Sequence, residues 1–162
     1  MASTPTIRLL GEQIADNADI ILNGGRLDFL GAETAGVLRM RGAGSLDFVS
    51  GASIASFSAF DNADNYPLSI ENWNGELTGG GTDQLRVKGL DFARLGTLRF
   101  AGYPDGARAL DFGSYFELVP IPEPSSIALM AIGLLMTSGN LRRAKRYCAP
   151  TRAVESFAST KE

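Results

Sequence analysis

Two pairs of carboxylates are the first candidates in this sequence for acid–base or nucleophilic catalysis. Asp28 with Asp47, and Asp111 with Glu117, are the residue types that glycoside hydrolases use as general acid and as base or nucleophile. Paired acids are also common on exposed strand faces, where they do no chemistry. We therefore predict that neither pair is catalytic.

Histidine is absent from the sequence. This excludes a Ser-His-Asp triad and a histidine-based zinc site, and it removes the commonest general base. The one cysteine, Cys148, lies near the C-terminus, so no internal disulfide can form. We predict a non-enzymatic protein that carries no metal ion and no cofactor.

Two turn-like segments could be mistaken for ligand loops. Residues 79–82 (Gly-Gly-Gly-Thr) have no Gly-Lys-Ser/Thr after them, so a β-turn is favoured over a phosphate-binding loop. Residues 61–65 (Asp-Asn-Ala-Asp-Asn) lack the spacing and the distal Glu of an EF-hand. A solvated turn is favoured there over a calcium site.

Charge is distributed unevenly along the chain. Residues 1–124 hold nine Lys and Arg against 16 Asp and Glu, which gives −7, and residues 125–162 hold six against two, which gives +4; the sum is the net charge of −3. An acidic body offers no basic surface to phosphates, so we predict that the protein binds no nucleic acid.

Short strand-like runs separated by Gly, Asn and Asp fill the first part of the chain. They recur about every eight to ten residues, which is typical of a mainly β fold. Residues 25–31 and 44–51 share the pattern Gly, polar, Leu-Asp-Phe, aliphatic, at a spacing of 19 residues. A repeat of about 20 residues is typical of a β-solenoid coil. In both copies Leu and Phe should point inward and Asp outward.

The stretch 14–29, with Asn23-Gly24-Gly25 before Leu27-Asp28, resembles the autotransporter-associated β-strand repeat. The resemblance extends over residues 11–51 and implies a Gly-rich, secreted β-solenoid fragment resembling a parallel β-helix. Residues 1–67 are therefore predicted to be a repeat-like β segment. Residues 68–119 are predicted to be a closing β module, with Trp73 as its main apolar filler and Asp91 capping one helical turn.

The C-terminal part begins with a rigid turn. Pro122 and Pro124, on either side of Glu123, prevent a helix from running through this point, so the motif should be exposed and extended. The uncharged residues 125–141 predict one hydrophobic helix about 25 Å long, just short of a bilayer core of about 30 Å. Four basic residues follow: Arg142, Arg143, Lys145 and Arg146. By the positive-inside rule they mark the cytoplasmic side.

This order of Pro-Glu-Pro, apolar run and basic cluster resembles the PEP-CTERM sorting signal of Gram-negative bacteria. The resemblance implies that Pro122, Glu123 and Pro124 are recognised by exosortase, a membrane protease and transpeptidase, and that the basic residues stop transfer. The signal would occupy residues 120–146, and residues 147–162 are predicted to be a disordered tail.

No secretory signal peptide is evident at residues 1–8. We interpret this as a misassigned start or as the C-terminal piece of a longer exported protein. The precursor should sit in the inner membrane through residues 125–141, and the product at the cell surface or in the extracellular matrix.

The function predicted is therefore that of a non-enzymatic exported surface or matrix protein, with extracellular polysaccharide as a second partner. The alternative is a secreted polysaccharide-binding or polysaccharide-active β-helix protein. An adhesin or ice-binding module would need ranks of Thr on a flat face, and the Thr residues here are scattered.

Overall fold

The computed structural model describes residues 4–49 and 51–123. This part of the chain is mainly β, with one short 3₁₀ helix at Phe92–Thr97, and Asp91 caps that helix by accepting a hydrogen bond from Ala93 N at 3.0 Å. The eleven strands are β1 (Thr6–Leu9), β2 (Ile20–Leu22), β3 (Arg26–Phe29), β4 (Ala32–Met40), β5 (Gly44–Phe48), β6 (Ser53–Asp61), β7 (Leu68–Glu71), β8 (Asp83–Leu90), β9 (Leu98–Phe100), β10 (Ala107–Asp111) and β11 (Phe116–Pro120).

The strands form two sheets, between which the chain alternates. One sheet has the order β1-β3-β5-β7-β9, and the other β10-β11-β8-β6-β4-β2. Pairs within the sheets are parallel, apart from the antiparallel pairs β10–β11 and β11–β8. Each sheet ends in two edge strands, so neither closes into a barrel.

The two copies of the 19-residue pattern lie side by side. β3 pairs with β5 so that Leu27 faces Leu46, Asp28 faces Asp47 and Phe29 faces Phe48. Identical side chains therefore lie next to each other on neighbouring strands.

Apolar side chains from both sheets meet between them. The ring of Phe29 stacks on Phe48 at 5.8 Å between centroids, and it meets Phe57 of the other sheet edge-on at 6.4 Å. All three are at most 3 % exposed. Burying such rings removes a large apolar area from water and is the main stabilising contribution expected here.

The closing part of the body differs in one respect from the prediction. Trp73 packs edge-on against Phe100 at 5.4 Å and Tyr103 at 6.3 Å but is only partly buried. Other apolar side chains of residues 68–119 are fully buried, among them Leu68, Ile70, Leu98 and Leu118. Trp73 therefore borders this core and is not its main filler.

β7 and β8 continue the two sheets to which β5 and β6 belong. The division of the body at residues 67 and 68 stays a prediction. The predicted helix 125–141 and tail 147–162 lie outside the described residues. Among the residues that the structure describes, no helix is long and apolar enough to cross a membrane.

Candidate functional site

The predicted sorting motif begins directly after the last strand. β11 is held on both sides, by β8 and by β10, and Leu118 and Val119 within it are at most 1 % exposed. Ile121 N still donates to Gly106 O at 3.0 Å. Pro122 and Glu123 then leave the sheet with no regular secondary structure, and both are exposed. Pro122 and Glu123 thus follow a firmly anchored strand and are open to a partner.

Pro124 and the basic residues Arg142, Arg143, Lys145 and Arg146 lie outside the described part of the chain. Pro122 and Glu123 are the two predicted recognition residues that can be placed, and their exposure agrees with the expectation from the flanking prolines.

The first acidic pair forms a buried ion cluster. Asp28 and Asp47 point away from the apolar core, as alternation requires, yet they are only 1 % and 0 % exposed. Arg26 Nε donates to Asp28 Oδ1 at 2.6 Å, and the same guanidinium contacts Asp47. Arg8 pairs with Asp28 at 3.3 Å, and Asn72 Nδ2 donates to Asp47 Oδ1 at 2.8 Å.

This arrangement corrects the expectation that Asp28 faces solvent. The guanidinium of Arg26 contacts both carboxylates. Its positive charge and these contacts offset the free-energy cost of burying two acids side by side. Hydrogen bonding to Asp28 in turn raises the pKa of Arg26, so the cation stays charged. A glycosidase acid must reach its substrate, and these two carboxylates are covered.

The second acidic pair is separated by the sheet. In the β10–β11 ladder, Asp111 lies opposite Phe116 and Glu117 lies opposite Leu110. Directly opposed residues share a face and successive residues alternate, so Asp111 and Glu117 point to opposite faces. They cannot act on one glycosidic bond.

The triple glycine segment binds a carboxylate of its own chain. Gly79, Gly80 and Gly81 all have positive φ, and Gly80 N donates to both carboxylate oxygens of Glu117, at 2.9 and 3.0 Å. Glu117 is 1 % exposed, and its burial raises the pKa of this carboxyl. The segment is a turn, as predicted. Its Gly80 amide already donates to Glu117 and is not available to a phosphate.

Residues 61–65 also form a turn. Asn62 is buried; its side chain accepts a hydrogen bond from Tyr66 N at 2.8 Å and donates one to Thr97 Oγ1 at 2.9 Å. The expectation of a solvated turn is therefore wrong for Asn62, whose side chain holds the turn together. Asp61 pairs with Arg39 at 2.8 Å. Across residues 4–49 and 51–123, no cluster of three potential ligands for a metal ion occurs.

A groove on the outer face of the six-stranded sheet was missed by the sequence analysis. It has a volume of about 280 Å³, and Thr34, Ser56 and Arg86 form one row across it on β4, β6 and β8. Lys88 and Tyr115 line it as well. The signal that could have found it is the alternation of Arg86 and Lys88 in an acidic body, which places two cations on one face of a strand.

Comparison with known protein families identifies one match. Residues 120–144 match the PEP-CTERM protein-sorting motif. The match begins at the last residue of β11 and includes the exposed Pro122 and Glu123. No curated protein matches the chain. No solved structure matches it either.

The motif indicates a protein that is exported, targeted to exosortase and sorted to the cell surface of a Gram-negative bacterium. Exosortase is a membrane enzyme, so processing of this chain takes place at a membrane. The matched residues belong to the sorting signal, and they say nothing of the β body.

Proposed function

We propose that this chain is a non-enzymatic structural protein of the cell surface or extracellular matrix, delivered by exosortase through Pro122, Glu123 and Pro124. The observation that carries the proposal is the sorting-motif match at residues 120–144, placed where the chain leaves a buried strand and becomes exposed. A protease needs an extended, accessible peptide, and Pro122 and Glu123 are exposed directly after β11.

The proposal includes the membrane stage. Residues 125–141 are uncharged and are followed by Arg142, Arg143, Lys145 and Arg146. Such a run enters a bilayer with its basic end on the cytoplasmic side. The precursor is then an inner-membrane protein whose body lies outside the cytoplasm, and cleavage releases or transfers the body.

For the body we propose a β-solenoid of autotransporter-repeat type. Strands alternate between two sheets from β1 to β9, and neighbouring coils stack parallel and in register. Each coil of a solenoid contributes one strand to each sheet in this way. The antiparallel hairpin β10–β11 closes the six-stranded sheet at one edge and leads into the sorting motif.

Two observations support a body that does not catalyse. Asp28 and Asp47 are covered and paired with Arg26, and Asp111 and Glu117 lie on opposite faces. One observation supports the alternative of a secreted polysaccharide-binding protein, namely the groove at Arg86. Binding at this groove is tested independently of sorting by exosortase.

The proposal is tested by fractionation of the host cell, with one epitope tag before Met1 and another after Glu162. We expect the N-terminal tag at the surface or in the medium and the C-terminal tag in the membrane fraction. Glu123→Ala, or deletion of the exosortase gene, should leave both tags together in the inner membrane. Asp105→Ala is the matched control, because it removes an acid from an exposed loop of the body.

Normal processing of Glu123→Ala, or an uncleaved chain in the soluble cytoplasmic fraction of the wild type, would contradict the proposal. Equal retention of Asp105→Ala would show that loss of any surface acid blocks export, and Glu123 would lose its assigned role.

A further inference from the structure

The groove on the six-stranded sheet contains two cations, Arg86 and Lys88, that form no salt bridge within the described residues. Arg86 donates through Nε to Gln84 Oε1 at 2.9 Å, and its guanidinium lies 4.7 Å from the centre of the Tyr115 ring. Lys88, two residues further along the strand, is exposed.

Most of the other basic residues in the described part of the body are neutralised by a carboxylate; Arg99 and Arg108 are not, and they donate to backbone carbonyl groups. Five arginines are in salt bridges: Arg8, Arg26, Arg39, Arg41 and Arg94. Glu117 is the cross-strand neighbour of Arg86 and attracts its charge, but the carboxylate accepts from Gly80 N and forms no salt bridge with Arg86. In a body with an excess of acids, two adjacent unpaired cations attract an external anion.

Three hydroxyl side chains lie in the rest of the lining, beside Ala35, Phe57 and the Tyr115 ring. Thr34, Ser56 and Ser58 line the groove, and none of the three side chains has a hydrogen-bond partner among the described residues. Asp16 adds one exposed carboxylate. Hydroxyl and carboxylate oxygens in this number suit a ligand that carries several hydroxyl groups of its own.

The sheet leaves little edge for a peptide to extend. β6 and β8 each have a strand on both sides, and β4 lacks a strand on its outer side only before Leu38, where its pairing with β2 begins. The faces of the Tyr115 ring are also in use, by Arg86 and by Phe112, which stacks on it at 5.4 Å. A sugar ring therefore cannot stack on Tyr115. Polar and ionic contacts must provide the recognition of a ligand.

We propose that this groove binds an acidic saccharide, with a sugar carboxylate held between Arg86 and Lys88 and sugar hydroxyls hydrogen-bonded to Thr34, Ser56 and Ser58. The inference does not rest on sorting by exosortase, because binding is a property of the body. A chain that binds the saccharide but is not processed, or is processed but does not bind, separates the two proposals.

The test is isothermal titration calorimetry of the full chain, purified in mild detergent, with a galacturonate tetramer as the probe. Lys88→Gln should weaken binding about tenfold, since one charge-assisted hydrogen bond is lost. Arg86→Gln should weaken it by at least as much. Arg99→Gln is the matched control: Arg99 is an exposed arginine without an ion pair, on the other sheet, and its loss should leave binding unchanged.

Two further probes make the outcome decisive. The methyl-esterified tetramer keeps the hydroxyl groups but loses the charge, and it should bind at least tenfold more weakly. A glutamate oligomer of equal charge keeps the carboxylates without the sugar and should bind weakly as well. The assignment would be overturned if either probe bound as tightly as the galacturonate tetramer, or if the tetramer gave no heat of binding. It would also be overturned if Arg99→Gln weakened binding as much as the groove variants. Unchanged binding in both groove variants, with thermal unfolding that matches the wild type, would have the same meaning.

Discussion

The tripeptide Leu-Asp-Phe occurs four times in this chain, and its first two copies have a different environment from its last two. In the first two, at residues 27–29 and 46–48, all six side chains are buried. In the last two, Phe92 is 56 % exposed and Phe112 is 47 % exposed. The copies are at residues 27–29, 46–48, 90–92 and 110–112.

The difference follows from what surrounds each copy. Residues 27–29 and 46–48 sit on interior strands, with a second sheet under their Leu and Phe and Arg26 over their Asp. Residues 90–92 run off the end of β8 into the 3₁₀ helix, and residues 110–112 run off the edge strand β10. One tripeptide thus forms core in one region and turns in the other, so tertiary position decides its role.

The largest effect expected from breaking this contrast is at a core phenylalanine. Phe48 is 2 % exposed and stacks on Phe29, so Phe48→Ala should lower the free energy of unfolding by about 3–5 kcal/mol. Phe112→Ala, in the fourth copy, should lower it by less than about 1 kcal/mol. Urea unfolding of the full chain, followed by fluorescence of the single tryptophan Trp73, measures both. Equal losses would mean that Phe112 is as much a core residue as Phe48.

The next effect concerns the arginine that covers the two buried aspartates. Arg26→Gln leaves Asp28 and Asp47 buried side by side without their shared cation, and should lower the free energy of unfolding by roughly 3 kcal/mol. Arg41→Gln is the control, because Arg41 is exposed and its contact with Asp61 is 3.6 Å long. If the two variants unfold at the same urea concentration, the ion cluster contributes no more than a surface pair.

A smaller effect is expected where the third copy caps a helix. Asp91→Ala removes the acceptor for Ala93 N and should cost about 1 kcal/mol, whereas Asp91→Asn should recover most of the loss. Asp111→Ala, in the fourth copy, removes an exposed acceptor for Gly113 N and should stay within about 0.5 kcal/mol. The same urea series measures all three variants. A larger loss in Asp111→Ala than in Asp91→Ala would reverse the assigned roles.

The sequence predicted the elements whose pattern is local. β3 and β5 carry alternating side chains between turn residues, and both were predicted, as was the short helical turn at Asp91. β1 and β10, both of them edge strands, were not predicted. In β1 only Leu9 is buried, and in β10 only Ala107, so neither strand shows alternation to detect.

The candidate sites divide in the same way. Exposure of Pro122 and Glu123 follows from the flanking prolines, which act on their immediate neighbours. Burial of Asp28 could not be predicted, since it depends on Arg26 and on the neighbouring strand. The groove joins Thr34, Ser56 and Arg86, which are far apart in the sequence and meet only through the register of β4, β6 and β8.

The smallest change in the free energy of unfolding is expected at Glu117. There the substitution should stabilise the fold, whereas the substitutions above destabilise it. This acid lies opposite Leu110 of the fourth copy and, unlike Asp47, has no ion pair among the described residues. Burial raises its pKa in the folded state. In acid the carboxyl is neutral in both states and costs nothing. As the pH rises above the ordinary glutamate pKa, the unfolded chain ionises first, so this group lowers the stability of the fold.

Glu117→Gln removes that pH dependence while its amide oxygen still accepts from Gly80 N. We therefore expect the variant to match the wild type in acid and to be the more stable protein at neutral pH, in urea midpoints measured across this range. Glu76→Gln, at an exposed position of the same turn, should leave the wild-type curve unchanged. A Glu117→Gln variant that is less stable at neutral pH would show that the ionised carboxylate is required at Gly80. The buried acids of both regions would then depend on charge, Asp47 through arginine and Glu117 through a backbone amide.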